Sequence, residues 1–208
     1  MRVKVCGITC YEDAVLALDA GVDALGFNFF HRSPRHVDPA SAREIIRRLP
    51  PLMTTVGIFV NVASTDEVAA TARSAGVQVL QLHGDEPAEY CSAFAGWPLV
   101  KTLHIGDSPI RQDLAAYPVQ AFVLDLRDDS LFGGTGRTFD WRLADGIQQI
   151  RPVILAGGLR PENVGEAIRR VRPYGVDVCS GVECSPGRKD AAKLISFMNE
   201  VRNVFGSQ

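Results

Sequence analysis

Val3-Lys4-Val5-Cys6-Gly7-Ile8-Thr9 runs from a short, strand-like stretch into a glycine turn, and Glu12–Ala20 follows with the spacing of a helix. Strand, turn and helix in that order make one βα unit, and the order recurs about every 25 residues along the chain. The strand candidates are Val3–Cys6, Ala24–Phe29, Thr55–Val60, Val77–Leu82, Leu99–His104, Ala121–Asp125, Val153–Ala156 and Val176–Cys179, eight in number. Helical stretches separate and follow them at Glu12–Ala20, Ala40–Leu49, Thr65–Ala75, Pro87–Phe94, Pro109–Ala116, Trp141–Ile150, Pro161–Arg170 and Ala191–Val204. Their ends carry the right chemistry: Asp140 is a cap for the sixth, Pro161-Glu162 suits a first turn, and Gly21 and Gly76 suit C-terminal stops.

Eight βα units in a chain of 208 residues leave little room for insertions, so the expected architecture is α/β, a compact (βα)8 TIM barrel occupying residues 1–208 as a single domain. An open doubly wound sheet is the alternative. It normally carries a G-x-G-x-x-G turn after the first strand, and Cys6-Gly7-Ile8-Thr9-Cys10 is not one. The long connection from Leu126 to Thr138, with Asp128, Asp129 and Gly133-Gly134-Thr135-Gly136, has the composition of a lid.

Composition narrows the partners. Twenty-two Lys+Arg against 24 Asp+Glu gives a net charge of -2, and no basic run exceeds two residues, which argues against nucleic acid. No stretch approaches a membrane span and no apolar leader opens the chain, so a cytoplasmic protein is expected. The five cysteines include no C-x-x-C pair and the four histidines lie far apart, so neither a disulfide framework nor a metal site is indicated.

In a (βα)8 barrel the site lies at the C-terminal ends of the strands. There the sequence places Cys6, Arg35 in the loop after the second strand, His83, Asp125, Gly157-Gly158 and Ser180-Gly181. The last two loops have the small residues that let backbone N–H groups approach a phosphate, although these glycines would also suit tight βα turns. Cys6 shares its strand face with Lys4, which favours a thiolate, and it ends a strand across the mouth from Asp125. A thiolate and a carboxylic acid on two sides of one ligand are suited to moving protons at two atoms, provided burial raises the Asp125 pKa. The plainer alternatives are a buried small hydrophobe for Cys6 and a cap or salt bridge for Asp125. Arg35 is either a fork for a carboxylate or a solvated loop charge, and His83 either a substrate contact or a hydrogen-bonded structural histidine.

Taken together these positions resemble the phosphoribosylanthranilate isomerase family over essentially the whole length. The motifs that carry the resemblance are Lys4-Val5-Cys6-Gly7-Ile8-Thr9, Ser33-Pro34-Arg35, Val56-Gly57-Ile58-Phe59-Val60, Gln81-Leu82-His83-Gly84, Gly133-Gly134-Thr135-Gly136, Phe139-Asp140-Trp141, Leu155-Ala156-Gly157-Gly158-Leu159 and Ser180-Gly181-Val182-Glu183, in that order. The resemblance implies an Amadori rearrangement of N-(5-phosphoribosyl)anthranilate in tryptophan biosynthesis, without cofactor or metal. Asp125 would be the general acid, Cys6 the general base, Arg35 the residue for the anthranilate carboxylate, and Gly157, Gly158, Ser180 and Gly181 the phosphate loops. His83 and Gly134 are candidates for further contacts with this phosphosugar-anthranilate substrate, and a monomer or homodimer is expected. Cys10 and Cys179 depart from the family pattern. Because the first and eighth strands are neighbours in a closed barrel, Cys179 is expected beside Cys6, where it would sensitise the base to oxidants. Lys4 is likewise expected opposite Asp177.

Overall fold

The structure is a computed structural model and describes residues 1–106, 113–126 and 146–206. Eight parallel strands close in sequence order into a barrel: β1 Arg2–Val5, β2 Ala24–Asn28, β3 Thr54–Phe59, β4 Val79–Leu82, β5 Leu99–Ile105, β6 Ala121–Leu126, β7 Val153–Leu155 and β8 Gly175–Val178. Closure is made by β1 on β8, with Lys4 opposite Asp177 and Val5 opposite Val178. The helices are α1 Tyr11–Ala20, α2 Pro39–Ile46, α3 Thr65–Ala75, α4 Ala88–Cys91, α5 Pro161–Val171 and α6 Ala191–Gly206, and a small hairpin follows β8 as β9 Glu183–Ser185 and β10 Arg188–Lys189.

Period-two alternation sorts the strand residues. Val3 and Val5 of β1, Leu25 and Phe27 of β2, Leu80 and Leu82 of β4, Phe122 and Leu124 of β6, and Val176 and Val178 of β8 all join the buried layer between strands and helices. Their neighbours Lys4, Gln81, Asp125 and Asp177 therefore turn to the lumen, where all four are buried. This is why a run such as Ala121–Leu126 reads as apolar and yet delivers a carboxylate to the barrel mouth.

The helix ends follow local chemistry. Asp38 caps α2 by accepting from the N–H groups of Ala40 and Ser41, and Ser64 caps α3 by accepting from Glu67. Gly21 and Gly76 end α1 and α3 at φ 84° and 81°, a conformation that costs a glycine little. Pro161 occupies the first turn of α5.

Three helical expectations are corrected. Pro87–Phe94 is α-helical only over Ala88–Cys91 and tightens to a 3₁₀ turn over Ser92–Phe94. The described end of Pro109–Ala116 is a 3₁₀ turn, Leu114–Ala116. Trp141–Ile150 does not run to its end as a helix, because Gly146 sits at φ 87° and Ile147–Gln149 forms a single 3₁₀ turn. The segment after Leu126 expected to form a lid, with Gly134, and the cap Asp140 lie outside the described residues.

Candidate active site

The C-terminal ends of the strands bring the expected residues together, and β1 and β8 supply the reactive centre. Cys6 directly follows β1 and donates its N–H to the Val178 carbonyl at 2.9 Å, so Cys179, the next residue of β8, stands beside it. The neighbouring Cys179 thiol is the largest influence on Cys6. It outweighs burial, and with Lys4 and Lys189 nearby it holds the Cys6 thiol well below the ordinary range. Cys179 is pushed well above its ordinary value by Cys6 beside it and by burial.

Lys4 lies beneath this pair as expected, its Nζ 2.6 Å from Asp177 Oδ2, with both side chains buried. Oδ1 of Asp177 is the one buried side-chain N or O atom among the described residues with no hydrogen-bond partner. Burial pushes the Asp177 carboxyl up to about 7 against the pull of Lys4.

A second set of charges was not legible in the sequence. Glu183 of β9 accepts from Arg35 through Nε at 3.0 Å and Nη2 at 2.7 Å, and from Lys189 Nζ at 2.8 Å. Lys189 also donates to the Cys6 carbonyl at 2.6 Å, which ties the hairpin to Cys6. Arg35 is thus neither solvated nor unengaged: it is buried, and one edge of its fork is taken by a carboxylate of the same chain, leaving Nη1 with no partner among the described residues.

Across the mouth, Asp125 is buried at the end of β6, and its Oδ1 accepts from the Leu126 N–H at 2.8 Å. Oδ2 lies 3.4 Å from Nε2 of His83. Burial is the largest influence and raises the Asp125 pKa, but the His83 and His104 imidazoles and the Leu126 N–H together hold it below the ordinary carboxylate range. The expectation that burial raises this pKa is corrected by the His83 imidazole, which reaches Asp125 from β4, two strands away around the barrel. His83 itself is buried and hydrogen-bonded to Gln81 and Thr102.

The loops after β7 and β8 are built for close approach. Gly157 and Gly158 lie at φ 76° and 67°. A Cβ on Gly181 would fall 1.9 Å from the Leu159 carbonyl oxygen, so the two loops touch backbone to backbone. Among the described residues, no hydrogen bond is donated by the N–H groups of Gly157, Gly158, Ser180 or Gly181. Asn163 braces the first loop, donating to the Gly158 carbonyl at 3.0 Å while accepting from the Arg160 N–H at 2.8 Å. Small residues, N–H groups that donate to no described residue, and direct contact between the loops are features that suit an anion.

A sequence model of the family described as N-(5'phosphoribosyl)anthranilate (PRA) isomerase matches residues 3–200. The chain belongs to the phosphoribosylanthranilate isomerase family. It is similar to the N-(5'-phosphoribosyl)anthranilate isomerase of Geobacter metallireducens, with 48% identity over 204 residues, covering 97% of this chain and 99% of that protein. The crystal structure of phosphoribosyl anthranilate isomerase from Thermus thermophilus superposes with a TM-score of 0.90 at 39% identity, covering 98% of this chain and 100% of that one. A phosphoribosyl anthranilate isomerase solved in complex with reduced 1-(o-carboxyphenylamino)-1-deoxyribulose 5-phosphate superposes with a TM-score of 0.86 at 37% identity, covering 98% and 99% of the two chains. As a phosphoribosylanthranilate isomerase the chain is an isomerase of tryptophan biosynthesis on a TIM barrel. Among the described residues no helix is long and apolar enough to cross a membrane, and no group of three or more His, Cys, Asp or Glu could hold a metal ion.

Proposed function

We propose that Cys6 and Asp125 carry out the Amadori rearrangement of N-(5-phosphoribosyl)anthranilate as general base and general acid. Asp125 protonates the furanose ring oxygen as the C1–O bond breaks, and the nitrogen lone pair forms the Schiff base. The Cys6 thiolate then takes the proton from C2, and the C–H electrons reach the nitrogen through a new C1=C2 bond. The resulting enolamine tautomerises to the ketone. No covalent bond between Cys6 and substrate is needed.

The observation that carries this reading is the environment of Cys6. A thiol set beside a second thiol and two buried lysines favours its thiolate and is suited to act as a base, and it shares the mouth of the barrel with a buried carboxyl. The unused N–H groups of Gly157, Gly158, Ser180 and Gly181 support a phosphate site there, and the Nη1 edge of Arg35 is suited to the anthranilate carboxylate. The lowered Asp125 pKa runs against the acid role, since a carboxyl below its ordinary range is ionised near neutral pH; the role rests on the place of Asp125 at the barrel mouth and requires that it take up a proton before ring opening.

Loss of substrate fluorescence measures the reaction. Asp125→Asn is expected to lower kcat by about 10²–10⁴-fold with KM changed far less. An Asp125→Asn protein with the parent's kcat would exclude the acid role.

A further inference from the structure

His83 takes part in a chain of hydrogen bonds that a substrate contact does not require. Its Nδ1 lies 3.0 Å from Gln81 Nε2 and 2.9 Å from Thr102 Oγ1. An amide nitrogen only donates, so Nδ1 is an acceptor and the neutral imidazole carries its proton on Nε2. The Gln81 amide also donates to Thr102 Oγ1 at 3.2 Å, which leaves the threonine hydroxyl hydrogen for Nδ1. Two donors on one ring nitrogen therefore leave the proton on the other, Nε2, which lies 3.4 Å from Asp125 Oδ2, a separation that a small approach closes to a hydrogen bond.

The rest of the surroundings hold this ring in place. The His83 N–H donates to the Phe59 carbonyl at 2.7 Å, and the His83 carbonyl accepts from His104 Nε2 at 2.8 Å. His104 is the register partner of Asp125 on β5 and meets the His83 ring edge-on, with centroids 5.2 Å apart. Beyond His83, the titratable groups among the described residues that act on Asp125 include His104 from β5 and Asp177 from β8.

We infer that His83 is a positioning residue for Asp125: its Nε2–H, fixed by Gln81 and Thr102, orients the carboxyl and stabilises the carboxylate left when the proton passes to the ring oxygen. The inference rests on the reading of Asp125 as the acid. Negative charge grows on Asp125 only as the proton leaves, so the hydrogen bond strengthens toward the transition state and acts on kcat more than on KM. His83 makes and breaks no bond to substrate. Without the ring, burial dominates and the Asp125 pKa rises.

Three measurements test this. Nitrogen-15 NMR of histidine-labelled protein reads the tautomer directly, and His83 is expected as Nε2–H; an Nδ1–H tautomer overturns the inference without any variant. His83→Ala is expected to lower kcat about tenfold to a hundredfold, the range for losing a hydrogen bond to a charged group, with KM within about threefold. His83→Gln, which can present an amide N–H close to the Nε2 position, is expected to recover most of that loss. Carbon-13 titration of Asp125 is expected to move upward in His83→Ala and to return toward the parent in His83→Gln. A folded His83→Ala protein with the parent's kcat, or one that loses only KM, contradicts the positioning role. Should His83→Ala be inert to kcat while Asp125→Asn is inactive, the His83 role alone falls; should Asp125→Asn be fully active, the acid reading falls with it.

Discussion

Gly181→Ala is the substitution whose consequence is most directly worked from the geometry. The added Cβ would sit 1.9 Å from the Leu159 carbonyl oxygen, with the Leu159 carbonyl carbon at 2.9 Å and Arg160 Cα at 3.0 Å. Every one of these neighbours is backbone, so no side chain can swing aside. The loops after β7 and β8 must part by roughly 1 Å before the contact becomes merely tight, an overpacking that costs about 1–3 kcal/mol. For a domain of this size that is about 2–12 °C in Tm. The same movement separates the Gly158 and Ser180 N–H groups proposed to share one phosphate, and a misplacement of about 1 Å costs about 10²-fold in rate. The assay is kcat/KM from substrate fluorescence, with thermal unfolding alongside. Gly96→Ala is the control, since a Cβ there meets nothing within 4 Å. A Gly181→Ala protein matching the parent in both Tm and kcat/KM would refute the phosphate-site argument.

Three further expectations concern the base and its supports. Because the Cys6 pKa is lowered, first by Cys179 and then by Lys4 and Lys189, its alkylation by iodoacetamide, followed on the Cys6 peptide, should remain fast well below the pH at which an ordinary thiol ionises. Lys4→Met removes the cation, while Asp177, already pushed up to about 7, can take a proton, so that profile should move to higher pH and alkylation at pH 7 should slow; an unmoved profile counts against Lys4. Hydrogen peroxide should oxidise the Cys6 thiolate to a sulfenic acid with release of hydroxide, and the Cys179 thiol should then displace water to form a disulfide that dithiothreitol reverses. Cys179→Ser should lose one thiol fewer per chain and recover less activity; equal thiol loss in the two proteins excludes the pair. Glu183→Gln leaves Arg35 and Lys189 buried without their shared counter-charge, and urea unfolding should show a loss of about 3–5 kcal/mol; a loss under about 1 kcal/mol would mean that the cluster is not held by charge.

The barrel was legible because each of its strands is an apolar run with a turn after it, and runs such as Val176–Val178 and Phe122–Leu124 have no other place to be buried. The lumen was partly legible for the same reason: period-two alternation places Lys4 and Asp177 inside, and strand neighbourhood then pairs them at 2.6 Å. Glu183 and Lys189 were not, since a carboxylate and an ammonium on a short hairpin read as solvated until the hairpin folds back over Cys6 and Arg35. The direction of the Asp125 shift was hidden in the same way. Burial of one carboxyl can be guessed from its strand, but the His83 ring that reverses the outcome comes from β4. The break at Gly146 shows the limit of helical spacing, which cannot see a glycine at φ 87° until neighbouring segments fix it there.

The central claim is that Cys6 acts as a base and not as a structural thiol, and the kcat of Cys6→Ala at saturating substrate tests it most directly. A fall of about 10²–10⁴-fold with KM near the parent's and the fold intact is the predicted result. A kcat within about tenfold of the parent would contradict it, because removing a general base costs about 10²–10⁴-fold.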